Sequence, residues 1–154
     1  MSSRLSHGFT MVETLVALVV LAVGMLGIAS LFLTTMRAGG SAISRMHAVN
    51  LASDIADRIR ANRRAGAAYT VVASAADNIC VGAAAVDCSP AQIAANDVFL
   101  WQQQVARTWP GGAASGVIAF VAGTPAEYTV TLSWVEPGEA LPLTYTMRMQ
   151  APTN

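Results

Sequence analysis

The stretch Gly8-Phe9-Thr10-Met11-Val12-Glu13, followed by TLVALVVLAVGMLGIASLFLTTM over 14–36, decides how this chain is organised. No charged residue lies between Glu13 and Arg37, a gap of 23 residues. A gap of that length spans a hydrocarbon core with some tilt. Leu15, Val16, Leu18, Val19, Val20 and Leu21 are apolar all round a helix, so the segment either faces lipid or is buried on every side. Gly24 and Gly27 interrupt the run, an interruption that membrane helices tolerate better than soluble ones.

Three readings compete for this segment. A secretory signal peptide has a shorter apolar core and a small-residue cleavage site after it; here the core is long and no A-x-A site stands directly behind it. A plain single-span anchor explains the length but leaves Glu13 without a reason, because a carboxylate at the membrane edge is costly unless it has a partner. A leader that is clipped before the apolar helix explains both features. Gly8 has no side chain, so a protease can bring its catalytic groups close to the carbonyl.

The pattern of a short basic leader, Gly8, Phe9 and an acid at the fifth position counted from Phe9 resembles that of type IV pilins and type II secretion pseudopilins. The resemblance implies cleavage between Gly8 and Phe9 by a membrane prepilin peptidase, N-methylation of the new Phe9 amine, and an assembly role for Glu13 opposite the Phe9 amine of a neighbouring subunit. The physics agrees, since an amine and a carboxylate attract strongly in a low dielectric. The leader has Arg4 and no acid, while Arg37 and Arg45 lie beyond the span, so charge counting alone leaves the orientation ambiguous. The leader motif implies a cytoplasmic N-terminus and a periplasmic bulk. Many major pilins carry a proline midway along this helix; here Ser30 stands in that neighbourhood and the first proline is Pro90. A bend would have to use Gly24, Gly27 or the Gly39-Gly40 pair.

From Ser41 the pattern turns amphipathic, with Ile43, Met46, Val49, Ala52, Ile55 and Ile59 expected as one buried stripe. Asp54 and Arg58 form an i,i+4 pair with the acid first, and Arg60, Arg63 and Arg64 are placed in the last turn, where cations suit the helix dipole. The reading is one helix from Phe9 to Ala61, about 80 Å at the standard rise, with a break at Gly39-Gly40 left open. The block LASDIADRIRANR, ending in Asp57-Arg58-Ile59-Arg60-Ala61-Asn62, resembles the PilV-type minor pilins, the type IV pilus modification proteins. The Trp101…Val105…Trp109-Pro110-Gly111-Gly112 run resembles them less specifically. The arginine cluster is either a solvated helix end or a contact with neighbouring minor pilins.

Beyond the helix, 64–89 is rich in alanine and glycine and reads as a loop holding Cys80 and Cys88. In an exported head these two cysteines can form a disulfide worth about 2–3 kcal/mol; otherwise they are free thiols. Ser89-Pro90 is an N-cap and N1 pair, so a helix is expected from there to Thr108, with a restart at Asp97 left open and Pro110-Gly111-Gly112 ending it. Trp101 reads as a core anchor. Three strands follow at 116–122, 127–135 and 142–150, with Pro137-Gly138 between the last two. The second and third alternate, placing Tyr128, Val130, Leu132 and Trp134, then Leu143, Tyr145, Met147 and Met149, on one buried face.

The chain of 154 residues is 54% apolar and 12% charged with zero formal net charge, so no global field argues for nucleic acid. His7 lies in the leader and His47 stands without a nucleophile beside it. The acids show no metal-ligand spacing, and no Gly-rich phosphate loop occurs. No catalytic, cofactor or metal residue is therefore assigned, and an enzyme is the least favoured reading. The expected fold is α+β: a long N-terminal helix packed on a small antiparallel sheet. The expected divisions are a leader over 1–8, a transmembrane and filament-core helix over 9–36, its amphipathic continuation over 37–64 and a periplasmic head over 65–154. The resemblance implies a minor pilin that primes or caps a type IV pilus. Its implied partners are the prepilin peptidase, other minor pilins, the major pilin, the bacterial inner membrane and, at the furthest reach, a tip adhesin. The alternatives are a minor pseudopilin of a type II secretion system and a plain membrane-anchored periplasmic protein.

Overall fold

A computed structural model describes residues 10–70, 75–109, 114–137, 139 and 141–152. The chain divides into two compact units, Met1–Ala42 and Ile43–Asn154. The first helix, α1 (Met11–Ala61), belongs to both and runs through Gly24, Gly27, Gly39 and Gly40 without interruption.

In the first unit every described residue from Thr10 to Gly40 is exposed. The polar side chains inside the apolar run bond to their own helix. Ser30 Oγ donates to the Gly27 carbonyl at 3.0 Å and Thr34 Oγ1 to the Ser30 carbonyl at 3.0 Å, while Thr35 Oγ1 reaches Leu31 and Phe32. A hydroxyl satisfied this way needs no water, so these residues do not spoil an otherwise apolar cylinder. By length and composition α1 is long and apolar enough to cross a membrane.

The second unit contains the rest of α1, a 3-10 segment (Arg63–Thr70), helix α2 (Pro90–Thr108) and strands β1 (Ser115–Val121), β2 (Glu127–Trp134) and β3 (Leu143–Gln150). The sheet is antiparallel in the order β1-β2-β3. Ile118 pairs with Val130 and Val130 with Met147. This is the α+β architecture expected. Tyr128, Val130, Leu132 and Trp134 are buried along β2, as strict alternation requires. β1, whose sequence is apolar on both faces, also has one buried face: Gly116 and Ile118 are buried while Val117, Ala119 and Val121 are exposed.

Helix α2 starts where the Ser89-Pro90 pair predicts and does not restart at Asp97. Ser89 Oγ accepts from the Gln92 N–H at 3.3 Å and the Gln92 side chain accepts from the Ser89 N–H at 2.9 Å, a reciprocal capping box. Its buried residues include Ala94, Val98, Trp101 and Val105. Trp101 is fully buried, and its Nε1 donates to the Leu51 carbonyl on α1 at 2.8 Å. The Pro110-Gly111-Gly112 terminator and Gly138 lie outside the described residues.

Three expectations need correction. The buried stripe of α1 is Ala48, Ala52, Ile55, Ala56 and Ile59, whereas Ile43, Met46 and Val49 are 57%, 63% and 40% exposed. Each step of three residues turns a helix by about 300°, so a stripe built from successive i+3 steps rolls off its face. Alanines at 48, 52 and 56 instead let the helix approach closely. Arg63 and Arg64 lie beyond the end of α1, in the 3-10 segment, which kinks at Gly66 with φ 50°. Residues 63–70 are thus ordered turns and not the start of a loop.

Candidate assembly site

The N-terminal end of α1 carries the expected assembly residue. Thr10 caps the helix: its Oγ1 accepts from the Glu13 N–H at 3.3 Å, and its carbonyl accepts from Glu13 and Thr14. Thr10-Met11-Val12-Glu13 is therefore a capping sequence with its acid at the third helical position, a signal present in the sequence and overlooked in favour of the motif around Phe9. A carboxylate there also meets the positive end of the helix dipole, worth about 0.3–1 kcal/mol. Glu13 is exposed and makes no ion pair among the described residues. The Gly8–Phe9 bond, the Phe9 amine and His7 lie outside the described residues.

At the other end of α1 the Asp57-Arg58-Ile59-Arg60-Ala61-Asn62 block divides between two faces. Arg58 turns inward, with Nε at 3.1 Å from Asp54 and a second nitrogen at 3.4 Å from Asp97 on α2. Asn62 Nδ2 donates to the Pro90 carbonyl at 2.8 Å. Ile59 is buried. Asp57 and Arg60 pair outside at 2.6 Å with both side chains more than half exposed, so that pair contributes only about 0–1 kcal/mol. Arg63 and Arg64 are exposed. Half of this block holds the helix to the head, and only its outer half is free for partners.

Asp97 and Tyr69 complete the inner cluster. The Tyr69 hydroxyl donates to Asp97 Oδ2 at 2.8 Å and sits 3.2 Å from the Arg58 carbonyl. The sequence marks Asp97 only as a helix restart left open and does not mark Tyr69, although Asp97 shares a helical face with Ala94 and Trp101. Burial, and next the hydrogen bond to Asp97, raises the Tyr69 pKa far above its ordinary value of 10.0. Burial also raises Tyr128, whose hydroxyl donates to the Gly66 carbonyl and whose ring meets Tyr69 edge-on at 6.5 Å. Because the folded value lies above the unfolded one, the stabilisation from Tyr69 is complete below pH 10 and is lost as pH rises past it. Thermal unfolding should thus be insensitive to pH between neutrality and about 9 and fall more steeply above about 10 than in Tyr69→Phe. That variant should lose about 1–2 kcal/mol at neutral pH through its missing hydrogen bonds. Parallel alkaline slopes for both chains would remove Tyr69 from the account.

Cys80 and Cys88 are joined, with Cα atoms 5.8 Å apart. His47 is exposed and lines a groove of about 360 Å³ with Asn50, Asp54, Gln104 and Arg107. Among the described residues no three His, Cys, Asp or Glu side chains converge as a metal site.

Two family models match the chain. The first, described as the prokaryotic N-terminal methylation motif, covers residues 3–29 and so contains both Phe9 and Glu13. The second, described as type IV pilin Tt1218, covers residues 30–99, from mid-α1 into α2. Over residues 3–99 the chain is similar to type IV pilins. No curated protein and no solved structure matches it. A pilin is a structural subunit, and a prepilin methylation motif implies processing by a prepilin peptidase and assembly with other pilins. The sheet and the C-terminal part of α2 lie beyond both matches.

Proposed function

We propose that this pilin-like chain is a minor pilin of the PilV type that takes part in the assembly or priming of a type IV pilus. A prepilin peptidase cuts between Gly8 and Phe9, the Phe9 amine is methylated, and α1 holds the subunit in the inner membrane with its head in the periplasm. During assembly Glu13 faces the Phe9 amine of a neighbouring subunit. The surroundings are the same apolar helices, so the pair is desolvated and its attraction strengthened. The Cys80–Cys88 bond suits an oxidising compartment.

The observation that carries this reading is an apolar helical surface with no cover of its own. From Met11 to Met36 the large apolar side chains of α1 are all more than half exposed, and Glu13 is the single charge among them. A surface of that size is covered by lipid, by neighbouring helices, or by each in turn. The Ile43 and Met46 side chains extend exposed apolar positions beyond the span, where they suit a neighbouring subunit. The PilV-type reading rests on the resemblance of the LASDIADRIRANR block. A strain lacking the chain is expected to lose surface pili and twitching while secreting its exoproteins normally. The reverse phenotype, normal twitching with failed secretion, would move the chain to a type II secretion system.

A further inference from the structure

The loop closed by Cys80 and Cys88 is built to display apolar side chains. Ile79, Val81 and Val86 are 50%, 55% and 58% exposed. Ile79 has φ 52°, a left-handed conformation in which a β-branched residue is an outlier and glycine or asparagine would fit without strain. Its burial does not compensate, since half of it faces solvent. The ring is also held still. The Val86 N–H donates to the Ile79 carbonyl at 3.1 Å and the Ala85 N–H to Gly82 at 3.2 Å. Below it, Asn78 is tied to α2 through the Asn96 side chain at 3.0 Å and the Gln92 carbonyl at 3.1 Å. A pre-ordered apolar knob loses little entropy on docking.

Charge indicates what receives it. Asp77 and Asp87 flank the knob, both exposed, and no basic residue occurs between Arg64 and Arg107. The complementary surface is on the same head. Arg63 and Arg64, which make no ion pair among the described residues, border a hollow of about 540 Å³ with Ala61, Asn62 and Pro90. Pro90 follows Cys88 by two residues, so knob and hollow lie at the same end of α2. A two-fold axis then lets each of two copies offer both surfaces at once, a self-complementary contact that closes at a dimer.

We propose that the Cys80–Cys88 loop is a docking knob that seats in the Arg63–Arg64 hollow of a second copy of this chain, with Asp87 facing the arginines. The contact concerns heads alone and stands whether or not the chain enters a pilus.

A photo-crosslinking amino acid at Ala84, on the exposed tip of the loop, tests it with the full chain in its native membrane. The expected product is an adduct of two copies whose crosslinked peptide contains Arg63 or Arg64. Ile79→Gly, which relieves the backbone while removing the knob, and Asp87→Arg should each reduce that adduct by roughly tenfold, the effect of removing a docking anchor. Adding Arg63→Asp and Arg64→Asp to Asp87→Arg should restore it. Adducts only to other proteins, adducts to a second copy at another surface, no adduct at all, or a yield indifferent to these substitutions would each overturn the proposal.

Discussion

Glu13→Ala should leave removal of the leader intact and abolish entry of the subunit into filaments. The proposed leader bond lies before Phe9, four residues from Glu13, so its cleavage is expected to proceed without the carboxylate. The proposed assembly pair does need it, because losing one partner of a desolvated charge pair leaves the other buried and uncompensated, at a cost of about 3–5 kcal/mol. That corresponds to a reduction of incorporation by two orders of magnitude or more, read as the tagged subunit recovered in sheared pili against that in membranes. A second role must be separated from this one, because Glu13 also stands third in a helix capped by Thr10. Glutamine serves a capping box as well as glutamate does, so Glu13→Gln keeps the cap and removes only the charge. If charge is what matters, Gln fails as completely as Ala; if capping is what matters, Gln assembles normally.

Gly116→Ala should be the most damaging small substitution in the head. A Cβ at Gly116 would lie 2.4 and 2.6 Å from two carbons of the Trp101 ring. The ring cannot swing away cheaply, since it is fully buried and tied to Leu51 at 2.8 Å through Nε1. Either β1 moves off the core or α2 moves off α1, and overpacking of this kind costs about 1–3 kcal/mol. In a head of this size each kcal/mol lowers Tm by about 4–8 °C, which near-ultraviolet circular dichroism of the tryptophans would follow. Gly24→Ala is the matched control, because a Cβ there would meet nothing within 4 Å. Equal melting of Gly116→Ala and the parent chain would mean that β1 and α2 are not packed in this way.

The parts of the fold that were legible in the sequence are those where one local rule acts alone. Strict alternation over Tyr128, Val130, Leu132 and Trp134 can bury only one set of side chains, and those are the buried ones. Ser89-Pro90 starts a helix because each residue supplies what the first turn lacks. The α1 stripe was misread because the chain leaves a membrane-type run, where every position is apolar, and enters a segment where only one face is. Large residues such as Ile43 and Met46 stay apolar without facing the head, while the face that does so is marked by small alanines at 48, 52 and 56. The contacts across the head were hidden for a different reason. Arg58, Tyr69 and Asp97 meet only after α1, the 3-10 segment and α2 have packed, and no spacing along the chain announces that meeting. Of the candidate assembly residues, Glu13 was visible as a lone acid before an apolar run, and its partnership with Thr10 is also written in the Thr10-Met11-Val12-Glu13 spacing.

Leader removal and export are read together from the intact mass and N-terminal sequence of the chain recovered from native membranes with its peptidase active. The expected species is a mature chain that begins at N-methylated Phe9, with Cys80 and Cys88 oxidised. A chain that still carries Met1–Gly8 under those conditions would contradict it and leave α1 as a plain membrane anchor.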